Sequence, residues 1–137
     1  MSLVMVSILA AALVGAPAEA SRGKDATIEA RQRFFGTANV DPATGEVRSD
    51  RVILSWFGVA SYAAAFNGHV VLIDAWVPRG SHSGYVPTSP AEVATLDPEY
   101  IFIGHGDFDH AADAAEIAAA SGATIVGTPE HCDSIRS

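Results

Sequence analysis

The chain has 137 residues, of which 49% are hydrophobic and 18% are charged. This balance is typical of one globular domain and argues against a disordered tail. Sixteen acidic residues against eight basic ones give a net charge of −8, and the basic residues are scattered along the chain. Because no basic stripe is available to neutralise phosphates, the composition argues against nucleic acid and stable membrane association as partners.

Residues 1–20 have the pattern of a secretory signal peptide. Within Leu3–Val14 only Ser7 is polar, and an A-x-A cleavage pattern ends at Ala20. This apolar run is shorter than the about 20 residues that a transmembrane helix needs, and it has the length of a signal h-region. We therefore expect a secreted or periplasmic protein, or a cytoplasmic one if the N-terminus is not cleaved.

Residues 21–50 are predicted to form a connector with a short helix. Thr27 is placed to cap a helix that runs through Phe35, and Gly36 is its predicted stop. Proline and glycine then indicate a turn at Asp41-Pro42 and Thr44-Gly45.

Residues 51–137 are predicted to form the main domain, which begins with three β-rich runs. Gly58 separates the first two runs, and Asn67-Gly68 separates the second from the third. Asn-Gly is the preferred pair of a type I′ turn, because both positions require a positive φ. The pattern predicts an antiparallel meander. Its runs are Val52–Phe57, Ser61–Phe66 and His69–Asp74.

The second part of this domain alternates strands and helices, as in an α/β layer. A loop over Pro78–Pro87 precedes a helix that begins at Ser89, where Pro90 and Glu92 complete a capping pattern. We therefore expect an α/β (α+β) fold with a mixed sheet, an antiparallel N-terminal meander and flanking helices. The later elements are a strand at Tyr100–Ile103, an Ala-rich helix at Ala111–Ala120 that stops at Gly122, a strand at Thr124–Val126 and a helix from Pro129.

Four potential metal ligands follow the strand at Tyr100–Ile103: His105, Asp107, Asp109 and His110. Proteins of the α/β class place their sites at such carboxyl ends of strands. On an extended loop alternate residues point the same way, so the first three side chains can converge, and the fourth enters with the next helix. Imidazole and carboxylate groups are ligands that divalent metals such as zinc accept.

This loop is similar to the H-x-H-x-D-H signature of the metallo-β-lactamase superfamily. The resemblance rests on Gly104–His110, and on Leu54–Tyr62 and Val71–Trp76, which resemble the opening hairpin strands of that family. It covers about residues 52–126. The resemblance implies that 51–137 form the N-terminal half of an αββα sandwich, a truncated domain whose inner face the missing C-terminal half would cover.

The resemblance also implies a site for two divalent metal ions, with zinc expected and manganese or iron as alternatives. His105 would bind the first metal, and Asp109 and His110 would bind the second. Asp109 would also orient the nucleophile, as the catalytic residue. Asp107 takes the position where the family has a second histidine for the first metal. An aspartate there adds negative charge and a harder oxygen donor, which favours manganese or iron.

Several polar residues outside the loop have weaker assignments. By the same resemblance Asp74 would accept a hydrogen bond beneath the loop Gly104–His110, which we call the metal loop. As a strand-end residue it could instead simply shape a turn. The later ligands of the family lie farther downstream, and only His131 follows His110 in this chain. Because His131 stands at a capped helix start, we expect it at the surface. His69 and His82 are also expected to be exposed.

The function implied by the resemblance is hydrolysis of a small-molecule substrate. A metal-bound hydroxide would attack an ester, lactone, amide or phosphoester. One alternative is an inactive fragment or metal-binding remnant, because the downstream ligands are absent. A lesser alternative is a D-x-D glycosyltransferase, in which Asp107 and Asp109 would chelate a metal and a diphosphate. That chemistry has no use for His105 and His110.

Overall fold

The computed structural model describes residues 16–79 and 88–136. The expected signal peptide lies outside them, except for residues 16–20, and so does His82. No helix in these two ranges is long and apolar enough to cross a bilayer. The elements in chain order are α1 Ala16–Phe35, a 3₁₀ helix Thr37–Asn39, β1 Val52–Gly58, β2 Ser61–Phe66, β3 His69–Ile73, α2 Pro90–Ala94, β4 Tyr100–Phe102, α3 Phe108–Ala111, α4 Ala114–Ser121, β5 Thr124–Val126 and α5 Pro129–Arg136.

The five strands form one mixed sheet in the order β1-β2-β3-β4-β5. The first three pair as an antiparallel meander, and β4 and β5 continue the sheet in parallel with β3. Asn67 and Gly68 have φ angles of 49° and 84°, as a type I′ turn requires. The predicted α/β fold, with its antiparallel meander and flanking helices, is confirmed.

One face of the sheet packs against the helices and forms the core. Phe57, Leu72 and Ile101 point to this face and are fully buried. Phe34 of α1 packs edge to face on Phe57, with ring centroids 6.3 Å apart. Burial of a large apolar side chain stabilises the fold by about 1.5–3 kcal/mol. Val93 of α2, Leu96 in the turn after it and Ile117 of α4 also belong to this core.

The opposite face of the sheet is apolar but exposed to solvent. Val52 and Leu54 on β1 are 69% and 59% exposed. Side chains two positions apart on a strand share a face, and the strand register aligns these rows across all five strands. The described residues therefore leave one apolar face of the sheet open. Its large side chains are Val52, Leu54, Trp56, Phe66, Ile73, Tyr100, Phe102 and Val126.

The start of α2 follows the predicted capping pattern in part. The Ser89 hydroxyl accepts a hydrogen bond from the Glu92 N–H at 3.2 Å, and Pro90 occupies the first helical position. The Glu92 carboxylate, however, accepts a hydrogen bond from the Thr88 hydroxyl at 2.8 Å and pairs with Arg33. Glu92 therefore ties α2 to α1.

Two helix predictions are wrong. Helix α1 begins at Ala16 and not at Thr27, whose hydroxyl donates to the Gly23 carbonyl at 3.1 Å, a bond within the helix. The predicted Ala-rich helix is divided into α3 and α4. The division falls at Asp113, because its side chain is buried and accepts a hydrogen bond from the Val77 N–H at 2.7 Å.

Candidate metal centre

The four predicted ligands lie together at the carboxyl ends of β3 and β4. Helix α3 begins at Phe108, and Asp107 is its extended N-cap residue, with φ −70° and ψ 157°. His105 therefore stands on the loop before the helix, whereas Asp109 and His110 lie in the first turn of α3. The parallel pairing of β3 with β4 places this loop beside Asp74, the residue that follows β3.

Asp74 holds the loop and one imidazole in place. It is buried, and its φ of 54° turns the chain out of β3. Its Oδ1 accepts a hydrogen bond from the Gly104 N–H at 2.8 Å, and its Oδ2 lies 2.8 Å from Nδ1 of His110. Asp74 thus shapes the turn at the end of β3 and also holds the loop and His110 by its carboxylate.

The hydrogen bond with Asp74 also changes the titration of His110. This bond is the largest cause that raises the pKa of His110 above its usual value; desolvation opposes it, and the charges of Asp74, Asp109 and Asp107 raise the pKa further. Because Nδ1 is occupied by Asp74, Nε2 is the nitrogen available to a ligand, and it lies 4.0 Å from Oδ1 of Asp109. A carboxylate that orients a histidine in this way is the usual support of a metal-binding imidazole.

His105 lies next to His110, with ring centroids 5.0 Å apart. Its Nδ1 accepts a hydrogen bond from the Asp107 N–H at 3.2 Å, and the same atom lies 3.6 Å from Oδ2 of Asp107. The Asp107 side chain is 73% exposed and makes no capping hydrogen bond to the described residues. Its carboxylate is therefore not committed to the start of α3.

The prediction that His131 lies at the surface is wrong. The residue is half-buried, and its ring centroid lies 6.5 Å from that of His105. Helix α5 begins directly after β5, which is parallel to β4, so the first turn of α5 returns to the edge of the sheet that carries the metal loop. The alternation of strands and helices after Tyr100, which is typical of parallel strands, was the sequence signal that could have indicated this position. His69 is exposed as predicted, and pairs with Glu99 at 2.8 Å.

The donor set suits a divalent metal, although the described residues contain no group of three ligands already arranged to hold one. Two donors on one tetrahedral zinc lie about 3.4 Å apart, given bonds of about 2.0–2.2 Å. Nε2 of His110 and Oδ1 of Asp109 are separated by 4.0 Å. Small side-chain rotations would close this difference. The imidazoles, the carboxylates and the support from Asp74 therefore fit a metal site.

Apolar surface and a cleft border the loop. Phe108 is 71% exposed and packs edge to face on Trp76, with ring centroids 6.1 Å apart. A cleft of about 310 Å³ lies between α3, α4 and α5, and Gly106 and Ser134 are among its lining residues. A larger hollow of about 620 Å³ is lined by residues such as Arg31. It is lined by residues of α1, α2 and the end of α4 and by no histidine, so the smaller cleft is the one relevant to the site.

Comparison with known proteins gives relatives for just over half of the chain. The chain is 43% identical over 77 residues to a UPF0173 metal-dependent hydrolase of Pyrobaculum neutrophilum, and 38% identical over 77 residues to one of Exiguobacterium sp.. It is 30% identical over 84 residues to another from Staphylococcus aureus.

The chain spans about one third of the length of these curated relatives, since the matches cover 56–61% of this chain and 32–34% of theirs. No family model matches the chain, and no solved structure matches it significantly. The chain is thus similar over part of its length to proteins named metal-dependent hydrolases.

Proposed function

We propose that this chain carries the metal-binding loop of a metal-dependent hydrolase in which His105, Asp109 and His110 are ligands. The observation that carries the proposal is the pair formed by Asp74 and His110, 2.8 Å apart, beside a second imidazole and a carboxylate. Metal-binding histidines usually donate their other ring N–H to such a carboxylate, and the arrangement leaves Nε2 of His110 available. The relatives named as metal-dependent hydrolases support the same reading.

Each residue of the site has a role that follows from its contacts. Asp74 keeps His110 oriented with Nε2 available, and its bond to Gly104 holds the preceding loop. Asp109 lies beside Nε2 and would act both as ligand and as orienting group for the attacking water. Divalent metal ions supply polarisation of the scissile bond and activation of water. We propose an ester, lactone, amide or phosphoester as substrate class, with Phe108 and Trp76 as an apolar border.

Two ions, zinc first and manganese or iron as alternatives, are the proposed cofactors. Asp107 is the residue that bears on this choice, because its carboxylate is exposed and lies 3.6 Å from His105. A hard oxygen donor at this position would shift preference toward manganese or iron. The D-x-D glycosyltransferase alternative leaves both imidazoles and the support from Asp74 without a role.

The open apolar face of the sheet supports the finer proposal of an αββα sandwich. A contiguous row of large exposed apolar side chains is uncommon on a monomeric soluble protein and marks an interaction surface. A second sheet packed on it would bury Val52, Leu54 and their neighbours. The metal loop would then lie at the rim between two sheets.

The test of the proposed function is metal analysis followed by activity assays on the purified chain. We expect bound zinc, manganese or iron by elemental analysis, and hydrolysis of a generic ester or phosphoester that a chelator removes and added metal restores. The His110→Ala variant should lose both, whereas His69→Ala, at an exposed histidine far from the loop, should retain both. Absence of metal from the wild-type chain after incubation with each ion would overturn the proposal. Metal binding without hydrolysis would favour the metal-binding remnant.

A further inference from the structure

We infer that His131 is a further ligand of this metal site, an inference that rests on the proposed function. His131 lies in the first turns of α5, beyond β5, and reaches the loop from the side opposite to Asp74. Its ring is 6.5 Å from the His105 ring, with an interplanar angle of 35°. Three imidazoles from three parts of the fold therefore face one loop: His105, His110 and His131.

The loop is built so that the His131 ring can approach it. A Cβ atom at Gly106 would lie 2.7 Å from Cδ2 of His131, closer than real Cβ contacts come, and 3.2 Å from its Nε2. Gly106 does not have a positive φ, so the backbone conformation does not require glycine at this position. The missing side chain instead leaves room for the imidazole directly between His105 and Asp107.

Nδ1 of His131 has no partner of the kind that Asp74 provides for Nδ1 of His110 among the described residues. Nδ1 of His131 is buried, and no hydrogen-bond partner for it exists among residues 16–79 and 88–136. A buried polar atom without a partner destabilises the fold, and native structures rarely keep one without a reason. A metal ion bound at Nδ1 would supply the partner that this atom lacks.

His131 also supplies an imidazole, the type of ligand that Asp107 replaces in the loop. Asp107 stands where the resembling family has an imidazole, and the His131 ring lies against Gly106, the residue before Asp107. Two imidazoles on one tetrahedral zinc place their ring centroids about 5 Å apart, given Zn–N bonds of about 2.0–2.1 Å. The rings of His105 and His131, with centroids 6.5 Å apart, would have to approach by about 1.5 Å to share one ion.

Cobalt substitution of the full chain counts the imidazole ligands directly. Each histidine bound to Co²⁺ gives a strongly shifted, exchangeable N–H proton signal, and this count is independent of hydrolytic activity. We expect three such signals in the wild-type chain, one of which disappears in His131→Ala and none in the matched control His69→Ala. Two signals that both persist in His131→Ala would overturn the inference and leave the proposed function standing. A chain that binds no Co²⁺ would overturn both.

Zinc titration provides the second measurement. We expect His131→Ala to weaken Zn²⁺ binding at least about tenfold. Even the replacement of a residue that only hydrogen-bonds to a metal ligand lowers metal affinity by about 10–100-fold. The circular dichroism spectrum should remain that of the wild type, which separates loss of a ligand from loss of the fold. If His131→Ala does not fold, His131→Gln keeps most of the side-chain volume and serves in both measurements. Equal Zn²⁺ affinity in the folded variant and in His69→Ala would contradict the assignment.

Discussion

Nδ1 of His110 lies 2.8 Å from Oδ2 of Asp74, although the two residues are 36 positions apart in the sequence. The contact joins the end of β3 to the first turn of α3, and so couples the meander to the metal loop. We expect Asp74→Asn to weaken Zn²⁺ binding by about 10–100-fold, because the imidazole loses the carboxylate that orients it. Titration calorimetry would measure the change.

The matched control for this substitution is Asp97→Asn. Asp97 has the same φ of 54° as Asp74, but it is exposed and lies away from the loop. Asparagine tolerates this backbone conformation well, so neither substitution introduces strain. Equal Zn²⁺ affinities for the two variants would show that Asp74 does not support the site.

We expect that Asp107 can be replaced by histidine without loss of stability or of metal binding. Its side chain is 73% exposed and its carboxylate caps no helix in the described chain. The Asp107→His variant should therefore bind more Zn²⁺ than the wild type, with a free energy of unfolding changed by no more than about 0.5 kcal/mol. Elemental analysis and urea denaturation measure the two quantities, and Asp133→His, at an exposed position on α5, is the control. Lower metal content in Asp107→His would show instead that the aspartate is a working ligand.

Asp113 is expected to matter for stability and not for metal binding. Its side chain is 4% exposed, accepts a hydrogen bond from the Val77 N–H at 2.7 Å and pairs with Arg79 at 2.6 Å. Asp113→Ala leaves a buried N–H without its acceptor, which costs about 1–3 kcal/mol. The partly exposed Arg79 adds little, because solvent screens its charge. Urea denaturation should show this loss, whereas Glu116→Ala on the exposed side of α4 should stay within about 0.5 kcal/mol of the wild type.

Gly58, the last residue of β1, is expected to be required because a larger side chain has no room beside Pro78. A Cβ atom at this position would overlap the ring of Pro78, so Gly58→Ala should destabilise the fold by about 1–3 kcal/mol. Gly23, inside α1, has open space around its Cα, and Gly23→Ala should stabilise by about 0.5–1 kcal/mol because alanine is the better helix former. Thermal denaturation of both variants checks the prediction. Shifts of the melting temperature in the same direction would contradict it.

The turn at Asp41 should stabilise the fold at neutral pH and lose this contribution in acid. Backbone N–H groups of Thr44 and Ala43 donate to its carboxylate, both at 2.8 Å, and lower its pKa below the usual value. Because the pKa is lower in the folded chain, the stabilisation is present above the unfolded-state pKa of about 3.9 and is lost as the pH falls through the folded-state value. The melting temperature of Asp41→Ala should therefore fall below that of the wild type at pH 7, and the gap should narrow near pH 3. A gap of equal size at both pH values would contradict this account.

Local patterns were enough to predict most elements of the fold. The period-two runs and Asn67-Gly68 predicted the meander, and Ser89 with Pro90 predicted the start of α2. Gly122 ends α4 with a φ of 81°, as predicted from its lack of a side chain. These features are decided by neighbours in the sequence, namely side-chain alternation, caps and positive φ. Thr27 failed as a helix start because a hydroxyl inside a helix and a capping hydroxyl have the same sequence pattern.

The sequence by itself determined which residue types the metal loop contains, because His105, Asp107, Asp109 and His110 follow a short apolar strand. Only the tertiary structure decided what supports them. Asp74 reaches His110 because β3 and β4 are parallel neighbours, and His131 reaches the loop because β5 continues that order. Contacts across a sheet depend on strand order and register, which residues close in sequence do not specify.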